Sequence, residues 1–206
     1  MSKGLLLVVS APSAGGKGTI LKELLQTEAD LRMSVSATTR QPRPGEEHGR
    51  QYYFISREDF QAQVSQGMML EHAEYVGNCY GTPRGPVDQW LEEGLDVVLE
   101  IEVQGGAQVK KLVPDCVTVF ITPPSMAVLE QRLRDRGTED EATVQKRLKT
   151  ALTELEHAKD YDYVVVNDRL EDAVEDMRAI LRSEKRKYER NTDFIRKVIA
   201  HAETIR

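Results

Sequence analysis

Residues 5–19 read LLLVVSAPSAGGKGT, and no other stretch limits the possible folds of this chain so much. Positions 5–9 are five consecutive aliphatic residues, too few for a helix and without the polar alternation of a strand that has one wet face. Such a run is a strand buried on both sides, of the kind found inside a parallel sheet covered by helices. It ends in a turn of small residues, 10–16, and a segment with helical spacing follows over 18–26. Strand, tight loop and helix in direct succession open an α/β fold.

The loop nearly spells G-x-x-x-x-G-K-[ST], with Ala11 in place of the first glycine and Gly18 in place of the hydroxyl. The pattern is one for holding phosphate. The backbone of Ala11, Pro12, Ser13, Ala14, Gly15 and Gly16 can wrap an anion with N–H groups turned inward, the helix N-terminus adds partial positive charge, and Lys17 reaches the outer phosphates. Gly15 and Gly16 let the backbone approach without a Cβ in the way. Ala11 and Ala14 cost little provided that their φ angles are negative. Gly18 removes the hydroxyl that ordinarily meets Mg²⁺, and Thr19 is the next one available. A glycine-rich turn that packs tightly and binds nothing is the other reading; Lys17 in a strand–loop–helix setting favours phosphate.

The remainder of the 206 residues fits one compact unit. A formal charge of −6 argues against a general nucleic-acid or membrane-surface binder and for small-molecule partners. Cys79 and Cys116 lack metal-ligand spacing and read as free thiols of a reduced, cytoplasmic protein. His48, His72, His157 and His201 show no ligand spacing either, so no zinc site is expected. Lys3 and the short apolar run after it are too little for a secretory signal, and no run approaches a membrane span. Further buried strands are predicted over 97–101, 117–121 and 163–166, and helices over 126–136, 141–159 and 170–188. Two segments fit the alternating core poorly. Residues 34–92 carry short alternating patterns broken by QPRPGEEHG and VGNCYGTPRG, which predicts a β-rich insertion. The stretch RLRDRGTEDEATVQKRL predicts a charged helical pair, with Gly137 as a stop and Thr138 with Glu141 as a capping box.

The stretches QPRPGEEHGRQYYF, LEHAEYVGNCYGT, RLRDRGTE and VNDRL resemble guanylate kinases, in order and with matching spacing over nearly the whole chain. The resemblance implies a P-loop parallel-sheet core of residues 1–33, 93–125 and 159–206, a GMP-binding region of 34–92 and a lid of 126–158. It implies ATP and GMP as substrates, Mg²⁺ as cofactor, and Ser36, Arg40, Arg43, Tyr52, Glu71, Tyr80, Gly81, Thr82 and Glu100 at the GMP side. Arg40 and Arg43 offer planar forks suited to a phosphate dianion, and Tyr52 and Tyr80 offer neutral O–H donors. Glu71 can accept from guanine N1–H and the 2-amino group together, with Ser36 and Thr82 donating to O6. Without the family, RQPR can also be a solvated turn, and Glu71 a surface carboxylate. The implied lid arginines are Arg132, Arg136 and Arg147; a solvated helix face neutralised by Asp135 and Glu139 is the other reading. Asn167 and Asp168 match the position beside the ATP base and also read as a turn.

Two departures stand out. The family usually has Asp-x-Asp where LEIE places Glu100 and Glu102, each carboxylate one methylene further out. The spelling GKGT also resembles adenylate kinases, which implies Mg²⁺ held largely by phosphate oxygens and water. A nucleoside monophosphate kinase of another base preference and a non-catalytic interaction module of the same fold therefore remain as alternatives. Homo-oligomerisation stays open.

Overall fold

A computed structural model describes residues 3–135 and 140–203. In chain order the elements are β1 (Leu6–Ser10), α1 (Lys17–Thr27), β2 (Leu31–Met33), β3 (Ala37–Thr38), β4 (Tyr53–Phe54), α2 (Arg57–Ser65), β5 (Met69–Tyr75), β6 (Asn78–Pro83), α3 (Arg84–Glu92), β7 (Asp96–Glu100), α4 (Val103–Leu112), β8 (Val117–Thr122), α5 (Met126–Asp135), α6 (Glu141–Glu156), a 3₁₀ turn (His157–Asp160), β9 (Tyr163–Val166), α7 (Leu170–Lys185) and α8 (Tyr188–Glu203).

Five strands form an all-parallel sheet in the order β2-β7-β1-β8-β9. The α/β class read from the sequence is therefore the class observed. β1 lies at the centre, and its unbroken apolar run follows from that place, because successive side chains point to opposite faces and both faces are covered. Leu5, Leu7 and Val9 pack with Ile20, Leu21 and Leu24 of α1 and with Ala173 and Met177 of α7, whereas Leu6 and Val8 pack with Val87 and Leu91 of α3 and Val109 of α4. Asp96, a buried carboxylate at the start of β7, accepts the Leu5 N–H at 2.9 Å and meets Lys185 Nζ at 2.5 Å. A second sheet of four strands, in the order β4-β3-β6-β5, is antiparallel except for the β3–β4 pair.

Some local expectations are corrected. β2 adds an edge strand that a three-residue segment containing Arg32 did not announce. Residues 34–92 contribute helices α2 and α3 as well as strands. The helix expected over 170–188 is α7, which ends at Lys185, and a further helix, α8, follows it. The N-cap of α6 is Asp140, whose side chain accepts the Thr143 N–H at 2.8 Å; Gly137 and Thr138 lie outside the described residues. No helix among the described residues is long and apolar enough to cross a membrane.

Candidate functional site

The loop between β1 and α1 is closed by a hydrogen bond from Gly15 N–H to Pro12 O at 2.8 Å. Gly16 then caps α1 in the left-handed region, at φ 88° and ψ 12°, and no side chain caps the helix. The first N–H groups of α1 are thus left for an outside acceptor. Only glycine serves at position 16, since a Cβ there would fall 2.0 Å from Asn167 Nδ2 and L residues disfavour that φ. Asn167 braces the loop from the end of β9: its side chain donates to Gly15 O at 2.9 Å, its N–H donates to Thr122 O, and its carbonyl accepts from Arg132 Nη2 at 2.9 Å.

Ala14 does not meet the condition under which it would cost little, standing at φ 64°. Holding an alanine there costs about 1–2 kcal/mol relative to the right-handed region. Replacing Ala14 with glycine is therefore expected to raise unfolding stability by up to ~1 kcal/mol, the relief of strain outweighing the added freedom of the unfolded chain. Urea unfolding of the Ala14→Gly variant measures it; a lower midpoint would contradict the strain.

Lys17 leans back to Ile101 O at 3.3 Å, with Glu100 Oε1 at 4.0 Å. Burial pulls its pKa below the ordinary lysine value, while the carboxylates of Glu100, Glu102 and Glu154 oppose that pull. Two side chains of α6 converge on Ser13: Glu154 accepts its N–H at 3.3 Å, and Arg147 Nη1 donates to its hydroxyl at 3.4 Å. Arg132 is held on one side by Asn167, and its buried Nη1 has no hydrogen-bond partner among the described residues. An open cleft of about 430 Å³ is lined by Ala14, Gly16, Thr19, Arg132, Asn167 and Asp168, among others. Arg136 lies outside the described residues.

The second sheet gathers the other candidates. Glu71 on β5 faces Thr82 on β6, just past a register shift, and the Thr82 hydroxyl donates to Glu71 Oε1 at 2.7 Å. Glu71 is only 7% exposed. Burial pushes its pKa above the usual carboxylate value, with the Thr82 hydroxyl and N–H pulling the other way. The Thr82 proton is thereby engaged with the carboxylate. Gly81, opposite Ala37, leaves no room for a Cβ, which would meet Glu71 O at 2.7 Å. Ser36 precedes β3, its carbonyl accepting the Tyr53 N–H at 2.8 Å.

Arg40 stacks over the rings of Tyr52 and Phe54, its guanidinium carbon 5.6 and 5.8 Å from their centroids, and Tyr80 meets Tyr52 edge-on at 6.1 Å. The Arg40 fork grips the two Glu46 oxygens at 2.9 and 3.0 Å. Glu46 also accepts the Arg43 N–H at 2.7 Å. Sequence reasoning passed over Glu46, although the turn from Arg43 to Glu46 through Pro44 and Gly45 signals that a carboxylate folds back on its own arginines. Glu154 was also passed over; nothing local marks a residue whose partner is 141 positions away.

The geometry thus sets a lysine-bearing anion loop on one sheet and a buried carboxylate with an arginine–tyrosine cluster on another. The guanylate kinase family model matches residues 3–184. The chain belongs to the guanylate kinase family. The guanylate kinase of Desulfitobacterium hafniense is 54% identical over 182 residues, which is 88% of this chain and 91% of the relative. That of Latilactobacillus sakei is 47% identical over 199 residues, 96% and 98% of the two chains. Among solved structures, guanylate kinase from Anaplasma phagocytophilum aligns with a TM-score of 0.72 at 37% identity, covering 92% of this chain and 90% of its own. The family membership makes the chain an enzyme, a kinase of nucleotides, rather than a bare binding module.

Proposed function

We propose that the protein transfers the γ-phosphoryl group of ATP to the phosphate of GMP, and of dGMP, giving ADP and the nucleoside diphosphate. The observation that carries the choice of acceptor is Glu71, a buried carboxylate held by Thr82 on a sheet separate from the anion loop. A guanine edge offers two donors to such a group, whereas adenine turns a lone pair toward it. Lys17 and the N–H groups at the start of α1, those of Gly16, Lys17 and Gly18, hold the ATP phosphates, with Ala11 to Thr19 forming the surrounding loop. Arg40, Arg43, Tyr52 and Tyr80 hold the acceptor phosphate, which requires Arg40 to exchange Glu46 for the incoming anion. Arg132, with one guanidinium nitrogen unpartnered among the described residues, and Arg147 stabilise the transferring group, and Arg136 completes the set. Residues 34–92 act as the GMP-binding region and 126–158 as the lid of a core made from the rest.

Phosphoryl transfer spreads charge over oxygens, so the task of these residues is alignment and electrostatic stabilisation. An acceptor phosphate is already ionised near neutral pH, and no general base is needed. The residues near Lys17 suit Mg²⁺ with few protein ligands: Glu100 and Glu102 are hard oxygen donors, and Glu100 Oε1 would lie 3.7 Å from a Cβ at position 18, so the carboxylate stands beside the position that lacks a hydroxyl. Glu100 and Glu102 would help to hold Mg²⁺ there, and the ion would supply neutralisation of the phosphate charge.

The test is ADP production from MgATP with GMP, AMP, UMP and dTMP in parallel; GMP is expected to be the preferred acceptor, and an equal or better rate with another base would overturn the assignment. The pH dependence carries the sign of the Glu71 shift. Only its carboxylate form accepts from guanine, and burial raises its pKa, so kcat/KM for GMP is expected to fall on acidification through a range above ordinary carboxylates. That limb should vanish in Glu71→Gln, whereas the limb from GMP's own phosphate persists.

A further inference from the structure

Glu71 lies one residue from the place where the two sheets are tied together. β5 is an edge strand, paired with β6 on one side only, so alternate backbone groups along its outer side lack strand partners. At His72 that outer pair is taken by one side chain of the other layer. Gln108 of α4 accepts the His72 N–H on Oε1 at 3.1 Å and donates from Nε2 to His72 O at 3.1 Å. A primary amide presents a donor and an acceptor side by side as a peptide group does, and here it completes the ladder as a one-residue strand would. One turn earlier on the same helix, Gly105 faces the carboxylate itself: a Cβ at this position would stand 2.9 Å from Glu71 Oε2 and 3.4 Å from its Cδ and Cγ. Positions 105 and 108 share a helix face, and β5 lies against it. α4 follows β7 closely: Glu100 ends the strand, Ile101 and Glu102 make the connection, and Glu100 and Ile101 meet Lys17.

We propose that Gln108 is a positioning residue for the acceptor base: its two-point grip on His72, with the clearance left by Gly105, fixes where the Glu71 carboxylate stands relative to the Lys17 loop. This rests on the reading of Glu71 as the guanine-recognising group. Gln108 touches neither nucleotide and acts through the strand that carries Glu71. Both hydrogen bonds are exposed, so water replaces part of what a substitution removes, and the effect belongs in the alignment of substrate more than in the stability of the fold.

The experiment compares Gln108→Ala, Gln108→Glu and Gly105→Ala with Glu71→Gln, measuring KM for GMP and for ATP, the ratio of kcat/KM for GMP over IMP, and the melting temperature. IMP lacks the 2-amino group, so the ratio reports whether Glu71 still meets the base edge. Gln108→Ala is expected to raise KM for GMP about fivefold, the low end for two hydrogen bonds exchanged with water, to lower the GMP over IMP ratio, and to leave KM for ATP within about twofold. Gln108→Glu keeps an acceptor for the His72 N–H and sets a carboxylate against His72 O, and should be at least as impaired. Gly105→Ala, which crowds Glu71 directly, should lower the same ratio. If Glu71→Gln lowers the ratio while the Gln108 variants leave it and KM for GMP unchanged, the positioning role is overturned and the reading of Glu71 stands. If Glu71→Gln itself leaves the ratio unchanged, both fall. A Gln108 variant in which both KM values and the melting temperature shift together would show a merely structural contact and overturn the proposal as well.

Discussion

Lys17→Ala is expected to lower turnover by roughly 10²–10⁴-fold with every acceptor tested, the range for removing one charge that meets developing negative charge in a phosphoryl transfer. The loss should be indifferent to the base of the acceptor, because Lys17 stands at the loop between β1 and α1 and the acceptor candidates stand on the second sheet. Lys17→Arg should rescue little. An arginine fork is broader than an ammonium, and the lysine reaches back past Glu100 to Ile101 O. Steady-state ADP release checks both variants. A rate for Lys17→Ala within tenfold of the parent would remove the loop from the chemistry.

Substitution of Glu71 should produce the opposite pattern. Glu71→Gln keeps the shape of the side chain and turns one acceptor into a donor facing the donors of guanine, so kcat/KM for GMP is expected to fall by roughly 10³–10⁴-fold while the poor rate with AMP holds or improves. Unfolding cannot be the cause. Burial raises the pKa of this carboxylate, which means that the folded state opposes its charge, and a neutral amide of the same size should leave the melting temperature equal or higher. Glu71→Ala would strand the Thr82 hydroxyl, now bound to Oε1, and is the less clean variant. Equal losses with GMP and AMP would sink the assignment of Glu71 to the base.

The sheet was legible where strands are buried on both faces. The runs at β1, β7, β8 and β9 announce themselves because aliphatic and β-branched residues fill them. β2 does not, being three residues long with Arg32 in the middle, and α4 is obscured by Gly105 and Gly106, residues that oppose a helix in isolation and that tertiary packing requires. α8 was missed because the basic stretch KRKYERN at its start reads as a solvated face. At the candidate site, the loop around Lys17 and the Arg40–Arg43 turn stand out as compact motifs, whereas Glu71 and Thr82 were named only through the family resemblance, and the structure brings these two side chains together. What escaped the sequence was pairing at a distance. The grip of Gln108 on His72, the contact of Glu154 with Ser13 and the brace from Asn167 to Gly15 join residues that no local pattern connects, and the positive φ of Ala14 belongs to the loop as assembled.

The central position of β1 has a consequence for how the molecule comes to exist. Leu6 is paired with Val97 and Leu7 with Val117, so the first strand of the sheet to be made must wait for β7 and then β8, each about a hundred positions further along, and closing such long loops is slow. The anion loop written beside it waits longer still, because the amide that props up Gly15 belongs to Asn167. A segment encoded near the beginning acquires its working shape among the last, and a nascent chain cannot clutch nucleotide before its own far end arrives.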